Sequence, residues 1–349
     1  MEELYQDRIE EMVKLLYHHF SLAENWQKAA DYGRKAAGVA YRLDQYQEAV
    51  RMFENTYSCL LQLPESRTRQ KNIVDLLYKM FWPLAFLGQR DQALIICKQA
   101  ESLAFELKDA VRMSKVHLQY GISYFYKNQY KQAERYCLKI LQQSQDSKMD
   151  APIEEAKFHL ASIYLDLGHW EKAADLYSEV ISNREASGTQ NVHLADTPFL
   201  LYTHMCHHLG YIRTLQGRID DANILILKGH TPALKQISSL ETRAFCSLWH
   251  SSVSAMIGED YGALERVNDV FDIAEETDSP LLCYLCCVAK GNALIAVNQF
   301  EAAKEILKKS LRWVEGIEGQ GYRRYLEVVY QNLVLVSLEL GNPVLAKEV

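Results

Sequence analysis

The sequence is short of the residues that break regular structure. Its 349 residues include only 16 glycines and 7 prolines, which disfavours an all-β protein with many tight turns. No run of about 20 apolar residues occurs, so a transmembrane helix is excluded. Lysine and arginine form no run longer than two or three residues, and the formal net charge is −7. That balance argues against nucleic acid as the partner. The opening stretch, MEELYQDRIEEMVKLL, is acidic and amphipathic, unlike a secretory leader. Phosphate-cradling loops of the GxxxxGK[ST] or GxGxxG kind are missing, as are GxSxG and HExxH. No catalytic residue and no cofactor is therefore expected in these residues.

What is present is an ordinary soluble composition, with 48% apolar and 24% charged residues. Tyrosine is abundant at 21, and its ring packs while its hydroxyl stays wet. The eight cysteines are Cys59, Cys97, Cys137, Cys206, Cys246, Cys283, Cys286 and Cys287. Scattered through helical patterns, they read as buried thiols of a protein in the reducing cytoplasm. CYLCC (283–287) places Cys283 and Cys287 on one helix face, but a zinc site takes four ligands, usually with a second pair elsewhere.

One phrase recurs, small-x-aromatic-x-x-Ala. It reads DQYQEA (44–49), GQRDQA (88–93), NQYKQA (128–133), GHWEKA (168–173), GRIDDA (217–222), EDYGAL (259–264), NQFEAA (298–303) and GNPVLA (341–346). Their last residues are 44, 40, 40, 49, 42, 39 and 43 apart, and a period near 40 marks a solenoid. Apolar residues recur at spacings of three and four on both sides of each phrase, as two packed amphipathic helices require.

These units resemble the tetratricopeptide (TPR) family. With the turn aromatic as position 17, position 8 holds a small residue in six of the eight units (Ala37, Gly121, Ala161, Gly210, Ser252, Gly291), and position 20 is Ala in seven. The resemblance implies an all-α, TPR-like α-solenoid, a right-handed superhelix of about eight helix-turn-helix units. Residues 1–25 are expected as a connector helix and 26–349 as the repeat array, truncated at its C-terminal end. Residues 15–56 are similar to the junction before TPR arrays in bacterial STAND-type signalling ATPases, some linked to class III cyclases. That implies a sensor or scaffold segment regulating an attached effector. An autonomous peptide-responsive regulator and a passive scaffold that self-associates through exposed ends are the alternatives.

SNREASGTQNVHLADTP (182–198) and KGHTPALKQ (228–236) read as exposed loops. Pro83 in FWPLAF falls inside a first helix, where a kink is expected.

In the TPR family, positions 2, 5, 6, 9, 12 and 13 of each first helix point into the groove. HMCHHLGY (204–211) then presents His204, His207, His208 and Tyr211 there, with Cys206 on the packing side. Position 6 adds His159 and His250, so that His159, His208 and His250 are expected as one ladder. Tyr78, Trp82 and Trp249 complete the candidate groove set. Three readings stay open: partly buried polar and aromatic packing, a strip that binds a protein or peptide, and a metal held by His204 and His208 at i, i+4.

Overall fold

The computed structural model describes residues 9–143, 150–190, 200–235, 239–260, 262–277, 279–315 and 323–342. Among these residues it is all-helical. The order is α1 (Ile9–Leu22), α2 (Trp26–Arg42), α3 (Tyr46–Gln62), α4 (Arg67–Phe86), α5 (Arg90–Leu107), α6 (Ala110–Tyr126), α7 (Tyr130–Gln143) and α8 (Asp150–Asp166). There follow α9 (Trp170–Ser187), α10 (Leu201–Leu215), α11 (Ile219–Lys235), α12 (Leu240–Ile257), α13 (Ala263–Glu275), α14 (Pro280–Ala296), α15 (Phe300–Glu315) and α16 (Arg323–Glu339). From α2 on, even-numbered helices are the first and odd-numbered the second of each pair. Most helices run 16–18 residues, which with two short connections accounts for the period near 40.

The repeated turn has one physical cause. Asp44, Gly88, Asn128, Gly168, Gly217, Asn298 and Gly341, each opening its phrase, all adopt left-handed backbone. Asp, Asn and Gly tolerate that region best. The following N–H then bonds back to the carbonyl five residues earlier, as His169 does to Tyr164 (2.8 Å) and Gln299 to Leu294 (2.9 Å). This is a Schellman closure, which satisfies the last carbonyls of one helix while reversing the chain. Glu24 makes the same turn, its neighbour Asn25 bonding to Phe20 at 2.9 Å, so α1 enters α2 as each first helix enters its second.

Small residues let paired helices approach closely. The buried face of α2 is Ala29, Ala30, Gly33, Ala36, Ala37 and Ala40 with Tyr32. A Cβ on Gly33 would stand 2.3 Å from the Thr56 hydroxyl of α3, so only glycine fits that crossing. Ser66, Ser239 and Ser279 cap α4, α12 and α14, each accepting from the backbone N–H three residues on.

The chain divides into two compact units, Met1–Tyr120 and Gly121–Val349. The division falls within α6.

Two expectations change. Residues 228–235 are not a loop, because α11 continues to Lys235. His230 is buried on its inner face and Thr231 Oγ1 bonds to the Leu227 carbonyl at 3.1 Å, so the helix has partners that outweigh Gly229 and the proline that follows. The expected loop from 182 begins later, since α9 runs to Ser187 and stops at left-handed Gly188. Residues 191–198, like 343–349 at the expected truncation, lie outside the described residues. Helix α4 passes through Pro83 without a break. All eight cysteines are free and buried.

Candidate functional site

The expected groove residues separate by depth. In the first unit, Tyr78 (3% exposed) and Trp82 (7%) are core. Trp82 packs edge-on against Phe81 at 5.4 Å and lies 6.3 Å from Phe86, which stacks on Tyr46. Gln119 Nε2 donates to the Tyr78 carbonyl at 2.7 Å. These two aromatics hold helices together, a correction to their expected place on an open wall.

In the second unit, His204, His207 and His208 are buried as well, His207 completely. His207 and His208 both bond through Nδ1 to the carbonyl four residues back, at 2.8 and 2.7 Å. A carbonyl only accepts, so both rings carry their proton on Nδ1. His159, Tyr211 and Trp249 are half-buried.

The expected ladder of His159, His208 and His250 does not form. In α12 the left-handed turn residue is Gly258, one residue before the EDYGAL phrase. Glu259 N–H closes that turn on the Ser254 carbonyl. Asp260 then holds an extra loop by accepting from Gly262 and Leu264 N–H groups at 3.1 and 2.8 Å. The whole of α12 is therefore shifted by one position in the repeat. Three contacts follow. Trp249, now at position 6, lies 4.1 Å from the His208 ring. Phe245, at position 2, lies 5.5 Å from His204. Ser252, at position 9, accepts from Asn292 Nδ2 at 3.0 Å.

Two assemblies result. The first is an aromatic strip on α8, α10 and α12. Phe158 meets His208 at 5.3 Å, His208 meets Trp249, and Trp249 meets Tyr211 edge-on at 5.2 Å. An amide chain continues it, with Asn332 Nδ2 donating to Asn292 Oδ1 at 2.7 Å and Asn292 to Ser252. Phe158, His159, Tyr211, Phe245, Trp249, Ser252 and Asn332 all keep part of their surface exposed.

The second assembly is a buried histidine network. His250 turns toward α11 and α13. Arg266 Nη1 donates to His250 Nδ1 at 3.0 Å, and His230 Nε2 stands 3.1 Å from the same atom. The His207 ring stands edge-on to His230 at 4.8 Å, and its Nε2 is buried without a hydrogen-bond partner. Burial lowers the pKa of each: His207 to about 4, and His250 to about 3 with the Arg266 charge adding to the effect. His230 is driven further down, and His204 falls well below its ordinary value, in both cases first by burial. All four are neutral imidazoles at pH 7.

Among the described residues no group of three or more His, Cys, Asp or Glu is placed to hold a metal ion. No helix is long and apolar enough to cross a membrane among those residues.

Sequence reasoning missed the places of Phe245, Ser252 and His230. The signal for the first two was Gly258, since aligning the repeats on the turn glycine instead of the turn aromatic moves α12 into its observed register.

The tetratricopeptide-repeat profile matches residues 155–186 and, in a second form, 285–313. The chain is thus a TPR-type repeat protein in fold. None of the curated proteins matches the sequence. Among solved structures it is similar to the Rap conjugation gene regulator of plasmid pLS20 in complex with the Phr* peptide, with 14% identity, a TM-score of 0.58, and coverage of 90% of this chain and 76% of that one. It is also similar to the apo quorum sensor NprR from B. thuringiensis, with 13% identity, a TM-score of 0.61 and coverage of 89% and 84%. A third is the Cut9–Hcn1 hetero-tetramer of the APC/C, with 14% identity, a TM-score of 0.59 and coverage of 98% and 55%. At these identities the likeness is one of fold, and fold alone does not fix function.

Proposed function

We propose that this protein is a peptide-binding regulator whose ligand lies along the first helices of the second unit. The observation that carries this is the half-exposed strip of Phe158, His159, Tyr211, Phe245, Trp249 and Asn332. Large rings at the rim of a well-packed core supply apolar area at little entropic cost, which is why Trp and Tyr dominate binding hot spots. Asn332 adds an amide, whose donor and acceptor match a peptide backbone. The two TPR-fold neighbours named as a conjugation regulator with its peptide and as a quorum sensor support the same reading.

Regulation follows from repeat architecture. Each pair touches only its neighbours, so small rotations at an occupied segment add along the array. Residues 15–56 support an attached or associated effector through their resemblance to signalling ATPase junctions. The site itself requires none.

The test is selection of short peptides from a random displayed library on the full chain, followed by binding of recovered sequences to Trp249→Ala and Tyr211→Ala variants. Recovery of peptides that lose affinity about tenfold or more on either substitution, at unchanged helicity, supports the reading. Failure to recover any peptide, or indifference to both substitutions, favours the passive scaffold.

A further inference from the structure

Two exposed rows of opposite charge lie on second helices of the second unit, not on the first helices that carry the strip. On α7 the row is Lys131 and Arg135, followed by Leu138, which is 38% exposed. A shallow concavity of about 440 Å³ lies over these three residues, with Gln142 at its end. Glu134 also borders it, but its carboxylate accepts from the Tyr164 hydroxyl at 3.0 Å. Lys139 continues the row and is already engaged within the chain. Among the described residues, Lys131 and Arg135 pair with no carboxylate.

On α13 the row is Glu265, Asp269 and Asp272, with Glu276 at the C-cap. All four are exposed, and Ile273 among them is 44% exposed. Arg266, the basic residue of that helix, turns inward to His250, and Glu275 is taken by Lys309. The four carboxylates of the row meet no cation among the described residues. Like charges four residues apart on a helix repel. Each row therefore strains its own helix slightly until an opposite charge covers it.

The rows match in spacing. Lys131 and Arg135 are four residues apart, as are Glu265 and Asp269. Leu138 follows Lys131 by seven residues, and Ile273 follows Glu265 by eight. At about 1.5 Å of rise per residue, two such helices laid parallel bring Lys131 to Glu265, Arg135 to Asp269 and Leu138 to Ile273, in register to within about 2 Å. Opposite charges then steer the approach, and the two apolar side chains leave water together.

From this complementarity we propose that α7 of one copy of this chain docks on α13 of a second copy. The formal net charge of −7 per copy opposes the approach, and only one helix from each copy meets. The association is therefore weak and salt-sensitive, and it shows at high protein concentration. It does not depend on peptide binding.

The experiment is sedimentation equilibrium of the full chain over a concentration series in about 0.1 M and about 1 M salt, between which the screening length falls from about 10 Å to about 3 Å. The average mass is expected to rise above that of one chain at low salt and to return to it at high salt. Two double variants at exposed positions follow, Lys131→Glu with Arg135→Glu, and Glu265→Lys with Asp269→Lys. Each alone is expected to weaken self-association about tenfold or more at unchanged helicity. Mixing the two is expected to restore a complex, because an acidic α7 then meets a basic α13. A wild-type chain that stays monomeric at low salt overturns the proposal and leaves the α13 row to a basic segment of another protein. Self-association that survives in either double variant, or that mixing does not restore, overturns it as well.

Discussion

Lowering the pH from 7.5 to 5.5 should unfold the second unit far more readily than its carboxylates alone would allow. His204, His207, His230 and His250 are each 6% exposed or less, and burial depresses the pKa of all four. The unfolded chain binds protons at these sites below its ordinary value of about 6.5. The native state does not follow until His207 titrates at about 4 and His250 at about 3. Between those limits the unfolded state holds more protons, so stability falls as pH falls. By pH 5.5 each group costs about 1.4 kcal/mol, and four together cost about 5–6 kcal/mol. A folded domain typically has only about 5–15 kcal/mol in hand. Thermal melts followed by circular dichroism should shift down by about 10–20 °C between the two pH values. Glu185, held down by the Tyr202 hydroxyl and Lys228, loses its contribution only at lower pH and does not blur this window. A melting temperature that changes by less than about 3 °C would refute the reasoning, because it would mean the imidazoles are solvated or already charged in the native state.

Further outcomes follow from the packing. Gly229→Ala places a Cβ 2.6 Å from the buried His207 ring and should cost about 1–3 kcal/mol in chemical denaturation. Gly168→Ala meets nothing within 4 Å but keeps a φ of +75°, so it should cost about 1–2 kcal/mol from backbone strain alone. The eight thiols are all buried, and burial raises Cys137 and Cys206 to about 12. An aromatic disulfide reagent at pH 8 should therefore modify the native protein slowly and all eight cysteines once it is unfolded.

The turns were legible because one residue dictates each. A small or amide residue in left-handed backbone reverses the chain, and Asp44, Asn128, Gly168 and Asn298 announce this without reference to the rest of the fold. The helix pairing follows from the same phrases. Depth was not legible. Position in the repeat says which way His207 points, while the covering Gly229 and His230 lie on a helix that the sequence disguises with Gly229 and Pro232. The register of α12 was hidden for a different reason. EDYGAL supplies the aromatic of the usual phrase, yet Gly258 before it is the better left-handed residue, and the backbone follows the glycine. That one-residue shift moves His250 into a buried network and brings Trp249 onto His208.

Photo-crosslinking tests the central claim most directly. A recovered peptide carrying photoleucine is bound to the full chain, irradiated, and the attachment points are read by mass spectrometry. The account places them on α8, α10 and α12, at or beside Phe158, His159, Tyr211, Phe245 and Trp249. Crosslinks confined to the second helices α9, α11 and α13 would contradict it.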